Sequence, residues 1–119
     1  MSLIIQEILE TKYRLIGHIK KILTCDISKF AKIPKSTKFP HPIGIVIGNY
    51  TEIGKNCTIL HGVTITHHND KLTHIGNNVY IGANAFIRGV NIGNNCIIGA
   101  NSIILKDIPE NTVAVGLWK

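Results

Sequence analysis

Charge is scarce in this sequence, and so are aromatic rings. Asp, Glu, Lys and Arg supply 17% of the 119 residues and Phe, Trp and Tyr supply 6%, whereas an ordinary globular domain is about 25% charged. The three cysteines, Cys25, Cys57 and Cys96, are widely spaced and form no CxxC. That excludes a disulfide framework and a zinc knuckle and points to a reducing compartment. No apolar run approaches the roughly 18 residues of a membrane span. Glu7 and Glu10 interrupt the early apolar residues, so a signal-peptide organisation is absent and a cytoplasmic protein is expected. The formal net charge of +6 favours phosphate-bearing partners. Yet Lys and Arg do not cluster with interleaved aromatics, and Tyr50, Tyr80 and Phe86 fall at scattered phases. Nucleic acid is therefore not an expected partner.

What remains is Ile, Val, Gly and Asn, arranged with a period. An N-terminal segment, 1–24, reads as one amphipathic helix. Ile4, Ile5, Ile8, Leu9, Leu15, Ile16, Ile19, Ile22 and Leu23 recur at spacings of three and four. Its stripe is expected to pack on the body of the same domain. Residues 25–46 are irregular and basic, with Lys29, Lys32, Lys35 and Lys38 punctuated by Pro34, Pro40 and Pro42. These prolines exclude helix.

From Ile47 a six-residue beat is plain. Aliphatics fall at Ile47, Ile53, Ile59 and Ile65, at Ile75, Ile81 and Ile87, and at Ile92, Ile98 and Ile104. Compact residues follow four positions later, Thr51, Cys57, Val63, Val79, Ala85, Cys96 and Ser102 among them. A period of six fits neither a helix nor a coiled coil. It fits short strands joined by corners, for which Asn77-Asn78 and Asn94-Asn95 are suited. Cys57 and Cys96 share the compact position and are expected to be buried and inert. The beat breaks twice. Residues 66–74 form a loop holding His67, His68 and His74, and Ile87 to Ile92 is one residue short.

The stretches H-P-I-G-I-V-I-G (41–48), I-L-H-G-V-T-I (59–65), I-G-N-N-V-Y-I-G-A-N-A (75–85), I-G-N-N-C-I-I-G-A-N-S-I-I-L-K-D-I-P (92–109) and N-T-V-A-V-G (111–116) resemble the hexapeptide-repeat acyltransferases. Within that family the sequence is similar to the serine acetyltransferase-like branch, which includes many sugar O-acetyltransferases. The resemblance implies a mainly β chain: a left-handed parallel β-helix of triangular cross-section over 25–119, after the helix. It also implies a homotrimer with active sites between subunits and acetyl-CoA as the acyl donor, with no metal. The residue matching the family's general base is His41. The supporting acid, fifteen positions earlier, matches Asp26. The pantetheine arm would follow backbone near Ala83 and Ala100, and Lys106 would meet a phosphate.

The chemistry suits these residue types. A neutral imidazole accepts the proton of an attacking hydroxyl, and a carboxylate on its other nitrogen fixes the tautomer. Donors, expected to be backbone N–H groups, would stabilise the oxyanion. Pro40 stands where the serine-specific enzymes carry Asp, and Lys71-Leu72 where they carry Arg-His in the loop. Lys71 is then the one residue left to meet an acceptor carboxylate. The family's Gly-x-Pro-Ala-Lys/Arg becomes Gly116-Leu117-Trp118-Lys119. The changes at Pro40 and Lys71-Leu72 favour a sugar hydroxyl over free serine as acceptor, whereas the changed end bears on closure over CoA. Two other readings stand beside it. His61 and His67, six apart and so expected to stack, suggest metal binding of the carbonic-anhydrase-like kind. The short coil suggests a non-catalytic scaffold.

Overall fold

A computed structural model describes residues 24–119 of the chain. The expected N-terminal helix lies, up to residue 23, outside the described residues. From Asp26 onward the chain winds into a three-faced parallel β-solenoid. The first face stacks β1 (Asp26–Ile27), β2 (Val46–Ile47), β5 (Thr64–Thr66), β8 (Phe86–Arg88), β11 (Ile103–Ile104) and β13 (Leu117–Trp118). The second stacks β3 (Glu52–Ile53), β6 (His74–Ile75) and β9 (Asn91–Ile92). The third stacks β4 (Thr58–Ile59), β7 (Tyr80–Ile81), β10 (Ile97–Ile98) and β12 (Val113–Ala114). Every pairing between these strands is parallel and joins equivalent residues of successive coils, as in Ile47 with Ile65 and Ile65 with Ile87.

The six-residue beat is the reason for this form. Each two-residue strand points its first side chain out and its second in, because neighbours on a strand alternate between faces. The inward isoleucines at 47, 53, 59, 65, 75, 81, 87, 92, 98 and 104 are all buried, and so are Thr51, Cys57, Val63, Val79, Ala85, Cys96 and Ser102 between them. Each fully buried isoleucine contributes about 1.5–3 kcal/mol through removal of apolar surface from water. After each strand a corner turns the chain by one face. Asn56, Asn78, Asn84, Asn95, Asn101 and Asn111 occupy corner positions with φ between 56° and 60°. Asn tolerates that left-handed backbone better than other side chains.

The two breaks in the beat turn out to be one feature. Both lie on the edge where the chain leaves the first face for the second, on adjacent coils. The long corner, 67–73, projects, and the short corner at Gly89-Val90 receives its base. Thr73 Oγ1 donates to the Thr66 carbonyl at 2.6 Å and accepts from the Gly89 amide at 2.8 Å. A Cβ on Gly89 would stand 2.7 Å from that of His68. The missing residue in one coil thus makes room for the extra ones in the other.

Candidate active site

One edge of the prism, where the chain passes from the third face to the first, collects most of the residues singled out above. Its corners carry His41, then His61, then Ala83, then Ala100, on successive coils. Backbone hydrogen bonds fix this order: Gly62 N–H to Ile43 carbonyl at 2.9 Å, Asn84 N–H to His61 carbonyl at 2.9 Å, and Asn101 N–H to Ala83 carbonyl at 2.8 Å. The His41 and His61 rings lie edge to face, with centroids 6.0 Å apart. Both are exposed.

The corner holding His41 is longer than the one beneath it. Lys38 pairs with Thr58 and Val46 with Thr64. The path from 38 to 46 is eight steps against six from 58 to 64, so two extra residues push His41 outward. Pro40 and Pro42 stiffen that bulge. Asp26 approaches from the preceding coil. The Gly44 amide donates to the Thr24 carbonyl at 2.9 Å, the Asp26 amide to the Ile45 carbonyl at 2.9 Å, and Cys25 Sγ to the Pro42 carbonyl at 3.2 Å. These bonds clamp 24–26 onto 42–45. The carboxylate of Asp26 is exposed and makes no hydrogen bond to His41 among the described residues. Catalytic hydrogen bonds are often long before substrate binds.

Further along the edge, Ala83 and Ala100 leave the backbone accessible, and among the described residues neither of their amides donates a hydrogen bond within the chain. The flanking faces are apolar outward. Val46, Ile103 and Leu117 are exposed on the first face, and Tyr80, Ile97 and Val113 on the third. The second face is polar instead. Lys32 Nζ meets Glu52 Oε1 at 3.3 Å, and His74 Nδ1 donates to Glu52 Oε2 at 3.1 Å. Lys32 and then His74 hold the Glu52 carboxyl below its ordinary range.

Over residues 73–106 the chain matches the family model described as the hexapeptide repeat of succinyl-transferase. Serine acetyltransferase 1 of Arabidopsis thaliana is 43% identical over 105 residues, covering 84% of this chain and 33% of the relative. Serine acetyltransferase of Helicobacter pylori is 36% identical over 109 residues, covering 87% and 64%. The crystal structure of Neisseria gonorrhoeae serine acetyltransferase in complex with serine superposes with a TM-score of 0.76 at 34% identity, covering 96% of this chain and 48% of that one. The chain belongs to the hexapeptide-repeat acyltransferases. Within them it is serine acetyltransferase-like, and it spans about a third to two-thirds of the length of these relatives.

Two residues expected at the acyltransferase site lie elsewhere in the single chain. Lys71, on the 67–73 loop, and Lys106, after β11, both sit on the opposite edge of the first face from His41. Lys71 Nζ pairs with Asp107 Oδ1 at 3.1 Å, and Lys106 Nζ lies 5.5 Å from the Trp118 ring centroid. The Asn91 amide and then Lys71 hold the Asp107 carboxyl below its ordinary range. The expected stacking of His61 on His67 is not seen. A step of six residues advances one face, not one coil, so the two occupy different edges. His67 Nδ1 instead donates to the Asn69 carbonyl at 3.1 Å. Among the described residues no three His, Cys, Asp or Glu side chains converge as a metal-ligand set. His61 was legible as a neighbour of His41 only after allowing for the two-residue bulge, which shifts it off the regular spacing.

Among the described residues no helix is long and apolar enough to cross a membrane.

Proposed function

We propose that this chain is an acetyl-CoA-dependent O-acetyltransferase acting on the hydroxyl of serine. The observation that carries the reading is the single edge that aligns His41, His61 and the unpaired amides of Ala83 and Ala100. His41 takes the proton of the acceptor hydroxyl as its oxygen attacks the thioester carbon. Asp26, one coil above, orients the imidazole and stabilises its protonated form. The tetrahedral oxyanion is met by donors on the next coil, the His61 ring N–H among them. Collapse expels the CoA thiolate, which receives the proton from His41. The pantetheine arm runs along the edge past the Ala83 and Ala100 amides.

Serine is the acceptor supported by the relatives, which match across both the Asp26 and the His41 segments. They outweigh the substitutions at Pro40, Lys71 and Leu72, which favoured a sugar hydroxyl. The assembly we propose is a homotrimer. Apolar strips on both sides of the His41 edge suit contact with a neighbouring copy. Lys71 and Lys106, on the other edge of the first face, then serve the neighbour's site, Lys71 toward the acceptor carboxylate and Lys106 toward a CoA phosphate. Three free cysteines fit a reducing, cytoplasmic setting.

The test is product identification. Acetyl-CoA is incubated with the chain and L-serine, or with a panel of sugars and nucleotide sugars, and the products are read by mass. O-acetylserine as the main product supports the reading. An acetylated sugar with serine untouched replaces the acceptor, and no acetylated product from any acceptor overturns the activity. Sedimentation at micromolar concentration should give three chains per particle.

A further inference from the structure

Tyr50 breaks the rule of the corners. Among the described residues the non-glycine positions with positive φ are Tyr50, at 60°, and seven asparagines. In each Gly-x-Asn corner the third position holds asparagine, and Gly48-Asn49-Tyr50 puts a bulky ring in that slot. A left-handed backbone is unfavourable for such a residue, whereas Asn adopts it readily. Strain of this kind, kept where a better residue is available, marks a site to be explained.

The ring is not used for the core. Tyr50 is 55% exposed and Phe30, in the same slot one coil earlier, is 51% exposed. Their rings stack on each other with centroids 5.8 Å apart and planes 26° apart. Lys29 Nζ lies 5.2 Å from the Phe30 centroid. The two corners are locked together beneath the rings: Ser28 Oγ bonds to Asn49 Oδ1, and the Phe30 amide donates to Ser28 Oγ at 3.1 Å. The result is a stacked aromatic pair with an ammonium group over the Phe30 ring, leaving the outer face of Tyr50 to a ligand, and with amide and hydroxyl groups at the linked corners.

We propose that Phe30, Tyr50 and Lys29 form a binding site for a pyranose ring bearing an anionic group, a uronate or a sugar phosphate. Aromatic faces take up the apolar C–H face of a sugar ring, and a few placed polar groups set its orientation. Lys29 supplies the complement to the anion. The site goes beyond the acetyl-transfer reading. It lies on the edge of the first face that also carries Lys71 and Lys106, and its test reads binding rather than acetyl transfer, so its failure is distinguishable from failure of that reading.

The experiment is saturation-transfer NMR on the full chain with methyl β-D-glucuronide and glucose 1-phosphate, with methyl β-D-glucoside as the neutral control and uridine monophosphate as the nucleobase control. Both anionic sugars should bind with roughly millimolar Kd, as expected of so few ligand atoms. Their relative affinities separate carboxylate from phosphate as the source of charge. Tyr50→Asn restores the residue used at the other corners. It should keep or raise the thermal midpoint while weakening the sugars about tenfold or more. Lys29→Ala should weaken the anionic sugars and leave the glucoside unchanged. Equal binding by Tyr50→Asn and wild type, loss of stability in Tyr50→Asn, preference for uridine monophosphate over both sugars, or no sugar binding at all would each overturn the assignment.

Discussion

Replacing Gly82 by alanine tests the geometry on which the His41 edge depends. An added Cβ there would stand 2.6 Å from the Ala100 amide nitrogen and 2.9 Å from both the Gly99 carbonyl carbon and the Ile98 carbonyl oxygen. All three are main-chain atoms, so no side chain can rotate away. Ordinary contact requires a retreat of roughly 0.8 Å. The coils resist it, because Gly82 N–H to Ile98 carbonyl at 2.8 Å and Asn101 N–H to Ala83 carbonyl at 2.8 Å clamp them together. Stretching these bonds forfeits about 1 kcal/mol each, and overpacking strain adds about 1–3 kcal/mol. Reduced freedom of the unfolded chain returns about 0.4–1 kcal/mol. The expected net loss is about 2–4 kcal/mol. Gly48→Ala is the control. Its Cβ would meet nothing nearer than the Ile65 carbonyl at 3.5 Å, and its φ is not positive. It should be neutral or slightly stabilising. Urea denaturation at one fixed protein concentration, followed by far-UV circular dichroism, reads both variants. Gly82→Ala as stable as wild type, or Gly48→Ala as damaged as Gly82→Ala, would refute the coil spacing described here.

Three further outcomes follow from the same structure. A thiol reagent at pH 8 should modify Cys25 first and leave Cys57 and Cys96 untouched until unfolding, since both are buried and burial pushes the Cys57 thiol up. Equal reaction of all three in the folded protein would contradict the core. Thr73→Val keeps the side-chain shape but removes the hydroxyl that bridges Thr66 and Gly89. It should cost about 1–3 kcal/mol and speed amide exchange in the 67–72 loop. Asp107→Asn should lower the denaturation midpoint modestly at pH 7. Because the folded carboxyl is held below its ordinary value of 3.8, the stability it confers is present above that value and fades as pH falls below it. The difference between variant and wild type should therefore shrink in acid. A difference that persists or grows there would place the effect elsewhere.

The solenoid was legible because one physical demand repeats: two inward positions in every six residues, apolar or compact, with asparagine at corners that need left-handed backbone. Ile47 through Ile104 could be assigned to the interior without knowing the path of the chain. The Asp26–His41 spacing was legible as a motif, and backbone clamps hold residues 24–26 against 42–45 with no hydrogen bond between the two side chains. What the pattern did not reveal was which edge each residue occupies. His61 and His67 look equivalent at a distance of six but turn away by one face, while His41 and His61, twenty apart, meet because a proline-stiffened bulge adds two residues to one corner. Lys71 and Lys106 share an edge for the same geometric reason, and it is not the edge of His41. Tyr50 was visible only as one of a few scattered aromatics. Its partner Phe30 lies in the irregular segment before the beat begins, and the stacking of those two corners is a property of the coil, not of the local sequence.

The most direct test of the central claim is the rate of CoA thiol release from acetyl-CoA with L-serine, measured for the wild-type chain and for His41→Ala. Loss of the general base should lower the rate by about 10²–10⁴-fold, with the circular dichroism spectrum and the urea midpoint unchanged. Thiol release by His41→Ala at the wild-type rate would contradict the account, because the edge built around His41 would then not be where transfer occurs.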